Sequence, residues 1–326
     1  MKVAAIRHHG GPEAVVIEDW PVPEPAAGEM LVRVEACGLN YLDVFVRKGM
    51  PGVRIELPRI GGGDVAGRIE AVGDGVDPAW IGRPVVLNPK LPSGGVLGEH
   101  MNGGLCEFMT IPAGQVLERP EALDAVTAAA IPITFGTAHR MLVTRAALKP
   151  GETVLVLGAS GGVGTACVQL ARHLGAKVIA CTSSPEKAAR LRALGAEHVL
   201  DGSEDSLSAT VWNLTGKRGV DLVVNYTGGD TWADCLRATR KGGRLLTCGA
   251  TAGHDCVIDM RFVWVRELTI IGSTGYRHED IAAMVAAVAE GTMRPVIDQV
   301  LPLERTAEGM QLLEDRAVTG KIVVTP

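Results

Sequence analysis

A glycine-rich turn between an apolar strand and a helix is the feature that most constrains the fold of this chain. Residues 153–164 read TVLVLGASGGVG, and the helical stretch TACVQLARHLGA follows them. Glycines permit a tight turn and the close approach of a pyrophosphate, and a helix N-terminus offers unpaired N–H groups. The pattern A-x-G-x-x-G at 159–164 therefore predicts a dinucleotide-binding turn. The residues expected to contact the cofactor there are Ser160, Gly161, Gly162, Val163 and Gly164.

Apolar runs alternate with helical segments through the middle of the chain. The segment after the second run has typical helix ends, with Ser184 as a candidate N-cap, Pro185 at the first helical position and Gly195 as the terminator. Strands that alternate with helices in this way predict a doubly wound parallel sheet, the α/β class of the Rossmann domains. The six runs are 153–158, 177–182, 198–201, 220–225, 244–249 and 268–273.

The end of the second run bears on which nucleotide is bound. An NAD site commonly places Asp or Glu about 20 residues beyond the glycines, but here the strand ends in Thr182-Ser183-Ser184, with Lys187 one turn into the next helix. Hydroxyls, helix N-terminal amides and a lysine suit a 2′-phosphate. These residues therefore favour NADPH over NADH. The alternative is that both serines only cap the helix and that the lysine is solvated.

The loops that follow the later strands are expected to complete the cofactor site. In a doubly wound sheet, ligands bind outside the carboxyl ends of the strands. The residues predicted to contact the cofactor from these loops are Asn225, Cys248, Gly249, Ala250, Ser273 and Thr274.

The first 120 residues differ in texture, because short β-like runs alternate there with Gly- and Pro-rich turns. They predict an irregular β domain. Two domains also agree with the length of 326 residues, since domains usually hold roughly 100 to 200 residues. Hydrophobic residues make up 47% of the chain and aromatic residues only 4%, which is typical of an α/β enzyme with a parallel sheet.

Charge and cysteine content argue against several classes of protein. A net charge of −5 gives no global basic surface for nucleic acid. The N-terminus lacks an apolar signal region, and no stretch reaches the roughly 18 apolar residues of a spanning helix, so we expect a cytoplasmic protein that does not engage a membrane. The seven cysteines contain no CxxC pair, which predicts reduced thiols rather than a metal cluster.

Six ordered motifs resemble the medium-chain dehydrogenase/reductase superfamily over essentially the whole chain. They are GLNYLDVFVRKG (38–49), GGGDVAGRIEAVGDGV (61–76), LGEHMNGGLCEFMTIP (97–112), GASGGVG (158–164), GGRLLTCGATAG (242–253) and IIGSTG (270–275). The resemblance implies a GroES-like β-rich catalytic domain at 1–128, a Rossmann NADP(H)-binding domain with a six-stranded parallel sheet at 129–274, and a return to the catalytic domain at 275–326. It also implies a cleft between the domains, contact of Thr137 with the nicotinamide, and a homodimer paired through the exposed strand edge at 268–272.

The resemblance also indicates which positions correspond to the metal ligands of the zinc alcohol dehydrogenases in this superfamily. The equivalents of their zinc ligands are Asn40, Gly63-Asp64 and Ile133 or Thr134. Tetrahedral zinc needs three good N or S ligands and an open position, which this set does not provide. We therefore expect no metal, as in the similar quinone oxidoreductases and enoyl reductases. The motifs at 97–112 and 242–275, however, resemble zinc-type members more closely.

Without a metal, hydrogen-bond donors must stabilise the charge that develops on the acceptor oxygen during hydride transfer. Quinones and α,β-unsaturated carbonyls spread that charge over a π-system, so they are the expected substrates. Asn40 is the first-choice donor, and the alternative is that its amide only fixes the loop. Tyr41 and Asp43 are second choices: Tyr41 as a proton donor or a lining residue, Asp43 more as a brace of the local turn. Solvent is a further candidate for the proton donor.

Two other functions stay open from the sequence. One is an alcohol or aldehyde dehydrogenase of the zinc-type branch with an atypical or lost metal site. The other is a non-enzymatic, crystallin-like or RNA-binding role, which is not favoured because the chain has neither a basic stripe nor interleaved aromatic residues.

Overall fold

A computed structural model describes residues 1–50, 52–202 and 206–326. Two compact units compose the chain. One contains Met1–Gly136 and Arg277–Pro326, and the other is Thr137–Tyr276. We call the first the terminal unit, because it holds both chain ends, and the second the central unit.

The strands and helices of the described residues are numbered here in chain order. The strands are β1 Lys2–Ile6, β2 Val15–Asp19, β3 Glu29–Gly38, β4 Arg59–Ile60, β5 Asp64–Val72, β6 Pro84–Leu87, β7 Phe108–Pro112, β8 Val116–Glu118, β9 Thr153–Val156, β10 Lys177–Thr182, β11 His198–Asp201, β12 Val220–Val224, β13 Thr239–Thr247, β14 Thr269–Gly272, β15 Ile297–Pro302 and β16 Lys321–Thr325. The helices are α1 Tyr41–Lys48, α2 Ala125–Ala128, α3 Pro132–His139, α4 Gly162–His173, α5 Pro185–Leu194, α6 Leu207–Leu214, α7 Thr231–Ala238, α8 Met260–Val265, α9 His278–Ala289 and α10 Thr306–Glu314. A π-helical segment, Arg140–Arg145, continues α3.

The central unit is the predicted doubly wound sheet. Within the described residues, six strands pair in the order β11-β10-β9-β12-β13-β14, and every pair is parallel. The first strand of the series, β9, therefore lies between β10 and β12, and the chain reverses its direction of progress across the sheet there. Ligands of such sheets bind at this reversal, outside the carboxyl ends of the strands. The predicted fold class is confirmed.

A buried carboxylate joins β9 and β12 at the opposite, amino-terminal edge of the sheet. Asp221 accepts hydrogen bonds from the Thr153 N–H (2.8 Å), from Arg218 (2.8 and 3.1 Å) and from Arg240 (2.5 Å). Burial opposes the charged form, but the bonds from Arg218, Thr153 and Arg240 outweigh it and lower the pKa of Asp221 to about 2. This edge of the sheet is thus held by ion pairs.

The terminal unit is built around β3. Its larger sheet runs β15-β16-β3-β5-β6-β8, and β7 also pairs with β3. The C-terminal strand β16 is antiparallel to β3, with Val323 opposite Gly38 and Val324 opposite Cys37. A smaller sheet, β2-β1-β4, completes the GroES-like β-rich unit. This pairing brings Lys321, at the start of β16, next to the residues that follow β3.

The helices begin and end for local reasons. Ser184 caps α5 by accepting a hydrogen bond from the Lys187 N–H, and Gly195 ends the helix in a left-handed conformation (φ 111°), as the sequence predicts. The longest helices, α4 and α9, have 12 residues each. Among the residues that the structure describes, no helix has the length and apolar character needed to cross a membrane.

Four of the six predicted runs differ in their bounds from the strands, and the largest difference is at β13. The Gly242-Gly243 pair indicates a turn before residue 244, but β13 already begins at Thr239. The pairing with β12 shifts register between Val220 and Leu222, so that the glycines are accommodated as an irregularity within the strand.

Candidate active site

The glycine turn joins β9 to α4 in the central unit. Gly158 has a left-handed conformation (φ 61°), and its carbonyl accepts a hydrogen bond from the Gly161 N–H (3.1 Å). Helix α4 begins at Gly162, and the Thr165 N–H is the first to bond back, to Gly161 O (2.9 Å). The N–H groups of the first three helical residues have no hydrogen-bond partner within the described residues. They offer an anion site.

Two glycines of this turn are required for different reasons. A Cβ on Gly164 would collide with Gly158 O and would lie 2.6 Å from both Ala159 Cα and Tyr226 Oη. A Cβ on Gly161 would meet nothing closer than Gly158 O at 3.6 Å, and its φ of −75° suits any residue. The packing of the chain explains Gly164. The space beside Gly161 is open, which fits the close approach of a pyrophosphate.

The end of β10 brings the predicted phosphate-binding side chains beside the glycine turn. Thr182 ends the strand, and its Oγ1 lies 3.5 Å from Ser160 Oγ and 3.4 Å from the Ser184 N–H that donates to it. Ser184 Oγ in turn accepts from the Lys187 N–H (3.4 Å). Ser183 is exposed, and Lys187 is half-buried. The predicted residues of the second strand therefore meet at the N-terminus of α5.

A cavity of about 550 Å³ lies at the carboxyl ends of β12, β13 and β14. The predicted residues that line it are Cys248, Gly249, Ala250, Ser273 and Thr274. Ser273 Oγ is buried and has no hydrogen-bond partner among the described residues. Burial raises the pKa of Cys248 to about 12, so this thiol stays neutral. A bound polar ligand would satisfy the orphaned hydroxyl in this cavity.

Asn225 follows β12 directly and is fully buried. Its Oδ1 accepts from the N–H groups of Thr227 (3.0 Å) and Gly228 (3.2 Å), and its Nδ2 donates to Thr231 Oγ1 (2.9 Å) and Cys235 Sγ (3.2 Å). Both N–H groups of the amide are used and its oxygen already has two donors. Asn225 therefore contributes to the predicted cofactor site by shaping the loop after β12.

Thr137 is buried in α3, the helix that crosses from the terminal to the central unit. Its contact with the nicotinamide stays a prediction.

Two of the positions equivalent to zinc ligands, Asn40 and Asp64, form a buried cluster with Lys321 in the terminal unit, which we call the lysine cluster. Lys321 Nζ donates to Asn40 Oδ1 (2.7 Å), Asp64 Oδ2 (2.8 Å) and Leu39 O (2.7 Å). Asn40 Nδ2 donates to Asp64 Oδ2 (2.9 Å) and Gly38 O (3.2 Å). Lys321 is 3% exposed and Asp64 is fully buried. Every N–H of the ammonium and of the amide therefore has an acceptor.

The lysine cluster does not fit a catalytic zinc ion. The second oxygen of Asp64 accepts from the Ile133 N–H (2.7 Å), and the Thr134 hydroxyl donates to the carbonyl four residues earlier (2.7 Å). An amide and a carboxylate replace the usual thiolates and imidazole, and the fixed ammonium of Lys321 would repel a second cation. Within the described residues, no three His, Cys, Asp or Glu side chains are grouped so that they could hold a metal.

Asp43 closes the first turn of α1. Its Oδ2 accepts from the Asn40 N–H (2.8 Å) and its Oδ1 from the Gly62 N–H (2.7 Å). Burial raises the pKa of Asp43 to about 6, although these two N–H donors favour its charged form. Both oxygens are engaged with backbone, which supports the expected role as a brace of the turn.

Tyr41 is the predicted donor with unused hydrogen-bonding capacity. It is the first residue of α1, it is half-buried, and its ring packs edge-on against Phe45 with the centroids 5.0 Å apart. Its hydroxyl makes no hydrogen bond to any residue that the structure describes. The N–H groups of Asn40 are both committed, so Tyr41 is the more available of the two.

Comparison with known proteins agrees with this architecture. Residues 26–121 match the alcohol dehydrogenase GroES-like domain, and residues 162–290 match the zinc-binding dehydrogenase model. Quinone oxidoreductase from Homo sapiens is 31% identical over 332 residues, which cover 99% of this chain and 97% of the relative. The chain belongs to the medium-chain dehydrogenase/reductase superfamily. The predicted family is confirmed, and the protein is an oxidoreductase of this superfamily.

Two solved structures of the superfamily are similar over the whole chain. An NAD-dependent alcohol dehydrogenase is 38% identical with a TM-score of 0.96, and 100% of both chains is covered. A crotonyl-CoA carboxylase/reductase in complex with NADP is 26% identical with a TM-score of 0.91, covering 100% of this chain and 94% of that one. The zinc-binding dehydrogenase match at 162–290 contains none of the positions that resemble zinc ligands.

Two contacts in these sites are not predicted by the sequence. Lys321 stands 257 residues from Asp64, and only the pairing of β16 with β3 brings them together. The available signal was a lysine at the start of an otherwise apolar strand, KIVV. Tyr226 contacts the glycine turn from the end of β12, and nothing local in the sequence indicates that contact.

Proposed function

We propose that the protein is an NADPH-dependent oxidoreductase that transfers hydride to a quinone or an α,β-unsaturated carbonyl compound without catalytic zinc. The observation that carries the proposal is the lysine cluster, in which an ammonium engages the oxygens of Asn40 and Asp64. Without a Lewis acid, acceptors that delocalise the developing charge are favoured. The names of two similar proteins, a quinone oxidoreductase and a crotonyl-CoA carboxylase/reductase, support these substrate classes.

The central unit would hold the cofactor, which supplies the hydride when bound. The N–H groups at the start of α4 would bind the pyrophosphate, beside the open space at Gly161. Around the N-terminus of α5, the hydroxyls and the lysine would bind the 2′-phosphate. The residues proposed to contact the cofactor are Thr137, Ser160, Gly161, Gly162, Val163, Gly164, Thr182, Ser183, Ser184, Lys187, Cys248, Gly249, Ala250, Ser273 and Thr274. Asn225, whose amide is fully engaged, would act by shaping the loop after β12.

The terminal unit would stabilise the acceptor. When the β-carbon of an enone gains a hydride, its carbonyl oxygen becomes an enolate oxygen, and a proton is then added at the α-carbon. Tyr41 would donate a hydrogen bond to that oxygen, since its hydroxyl is uncommitted, and solvent would supply the proton. Asn40 would serve the same oxygen only by giving up its bond to Gly38 or Asp64. Asp43 would keep the turn that carries Tyr41 in place.

The decisive experiment is NADPH oxidation against a panel of quinones, enals, enones and saturated aldehydes. Conjugated acceptors should be reduced, and Tyr41→Phe should lower kcat for them by about 100-fold, the usual effect of losing one donor to an oxyanion. Phe45→Leu is the matched control, because it disturbs the same ring contact and removes no hydroxyl. Reduction of the saturated aldehydes alone would refute the substrate class.

A second candidate is an NADH-dependent alcohol dehydrogenase, which the solved structure with a TM-score of 0.96 favours. Oxidation of simple alcohols with NAD⁺, faster than reduction of any conjugated acceptor with NADPH, would support it over our proposal.

We also propose a homodimer. Strand β14 is an edge of the central sheet, and apolar side chains on it and on the preceding helix are exposed, including Trp264 (62%), Val265 (64%) and Ile270 (42%). An exposed apolar sheet edge favours pairing with a second copy. Light scattering at micromolar concentration should give twice the mass of the chain, and a monomer would refute the assembly.

A further inference from the structure

Tyr226 connects two parts of the central unit that surround the expected ligand. It lies just beyond the end of β12, and its hydroxyl donates to Gly158 O (2.7 Å) in the glycine turn. Its own carbonyl accepts from the Thr251 N–H (3.2 Å), in the loop after β13. One residue therefore contacts both the turn before α4 and the loop next to the cavity.

We propose that Tyr226 is a positioning residue for the dinucleotide: its hydroxyl fixes the carbonyl of Gly158, and through it the glycine turn, in the conformation that receives the pyrophosphate. This inference rests on the proposed function, since it concerns the same cofactor.

The geometry of Gly158 explains why such a tie matters. Gly158 has φ 61°, and its carbonyl accepts from both Tyr226 Oη and the Gly161 N–H. Both lone pairs of that oxygen are then used. Rotation of the peptide after Gly158 would break both bonds and would move Gly161, where the chain leaves space for a ligand.

The phenol ring of Tyr226 also restricts the space beside Gly158 and Gly164. A Cβ on Gly158 would lie 3.3 Å from Tyr226 Cε2, and one on Gly164 would lie 2.6 Å from Tyr226 Oη. The ring thus packs against the start of α4 as well as against the turn. Burial raises the pKa of the Tyr226 hydroxyl well above its usual range, so it remains a neutral donor at physiological pH.

The test compares NADPH binding and turnover in the wild type and in Tyr226→Phe, which keeps the ring and removes the hydroxyl. Loss of one neutral hydrogen bond should raise Kd and KM for NADPH by about threefold to tenfold, while kcat at saturating NADPH stays unchanged. Amide hydrogen exchange in residues 158–164 should become faster. If the hydroxyl were only structural, Tyr226→Phe would lower the melting temperature, and the KM for NADPH would not rise relative to kcat.

Thr239→Val is the matched control. Thr239 Oγ1 donates to Cys235 O (2.7 Å) at the amino end of β13, so the variant removes an equally short hydroxyl–carbonyl bond from the same unit. It should leave the affinity for NADPH unchanged. Equal affinities of wild type and Tyr226→Phe would overturn the inference alone, whereas a wild type that binds neither NADPH nor NADH would overturn the proposed function with it.

Discussion

The glycine turn of the central unit and the lysine cluster of the terminal unit differ in whether their polar groups already have partners. The turn offers backbone N–H groups, and Ser273 after β14 has an orphaned hydroxyl at the same end of the sheet, whereas the ion pairs of Asp221 lie at the other end. The charges of the lysine cluster are buried in the terminal unit, and their hydrogen bonds are already complete. Polar groups without a hydrogen-bond partner indicate where a ligand binds. Buried charges that are already paired indicate that a further ion is excluded.

The largest effect is expected in the lysine cluster. Lys321→Met leaves the carboxylate of Asp64 buried without its cation, and loss of one partner of a buried ion pair costs about 3 to 5 kcal/mol. Urea unfolding should show this loss, and the double variant with Asp64→Asn should recover part of it. Lys177→Met is the control, because Lys177 also begins a strand but is exposed. A loss as small as that of the control would show that the cluster is not a closed ion pair.

The next largest effect is expected on the KM for NADPH when Thr182, beside the glycine turn, is replaced. Thr182→Asp places a carboxylate where the 2′-phosphate is proposed to bind, and like charges in contact cost several kcal/mol, which predicts an increase of about 100-fold in KM for NADPH. The KM for NADH should change much less. Thr182→Ala controls for loss of the hydroxyl alone. If the wild type already prefers NADH, the assignment of NADPH fails.

A smaller effect is predicted at the charged edge of the central sheet. The folded pKa of Asp221 is about 2, below its usual 3.8, so its contribution to stability is complete above pH 4 and is lost as the pH falls towards 2. The difference corresponds to about 2 kcal/mol. Asp221→Asn should flatten the acid limb of a plot of unfolding free energy against pH. An unchanged acid limb would mean that these ion pairs do not stabilise the edge.

The smallest effects are expected for Gly161→Ala and Gly164→Ala, which should change different quantities. Gly161→Ala should raise Kd for NADPH by about tenfold and leave the melting temperature unchanged, because the added methyl meets only the ligand. Gly164→Ala should instead lower the melting temperature, since its methyl collides with the chain itself. The reverse pattern would mean that the space beside Gly161 does not face the cofactor.

The two regions also differ in how far the sequence predicts them. The glycine turn, the strand at 198–201 and the caps of α5 follow from residues that are close in sequence, so local patterns suffice. The partner of Asn40 and Asp64 comes from the last strand, 281 and 257 residues away, and depends on sheet pairing. The sequence therefore predicts that zinc ligands are missing, but not that a lysine bonds to Asn40 and Asp64. The same limit explains why Asn40 was preferred to Tyr41: the hydrogen bonds that engage its amide are tertiary contacts.

The most direct test of zinc-free hydride transfer is the metal content and turnover of the same preparation before and after treatment with a strong chelator. We expect far less than one zinc ion per chain and an unchanged rate of NADPH-dependent reduction of a conjugated acceptor. Stoichiometric zinc whose removal abolishes that rate would contradict it.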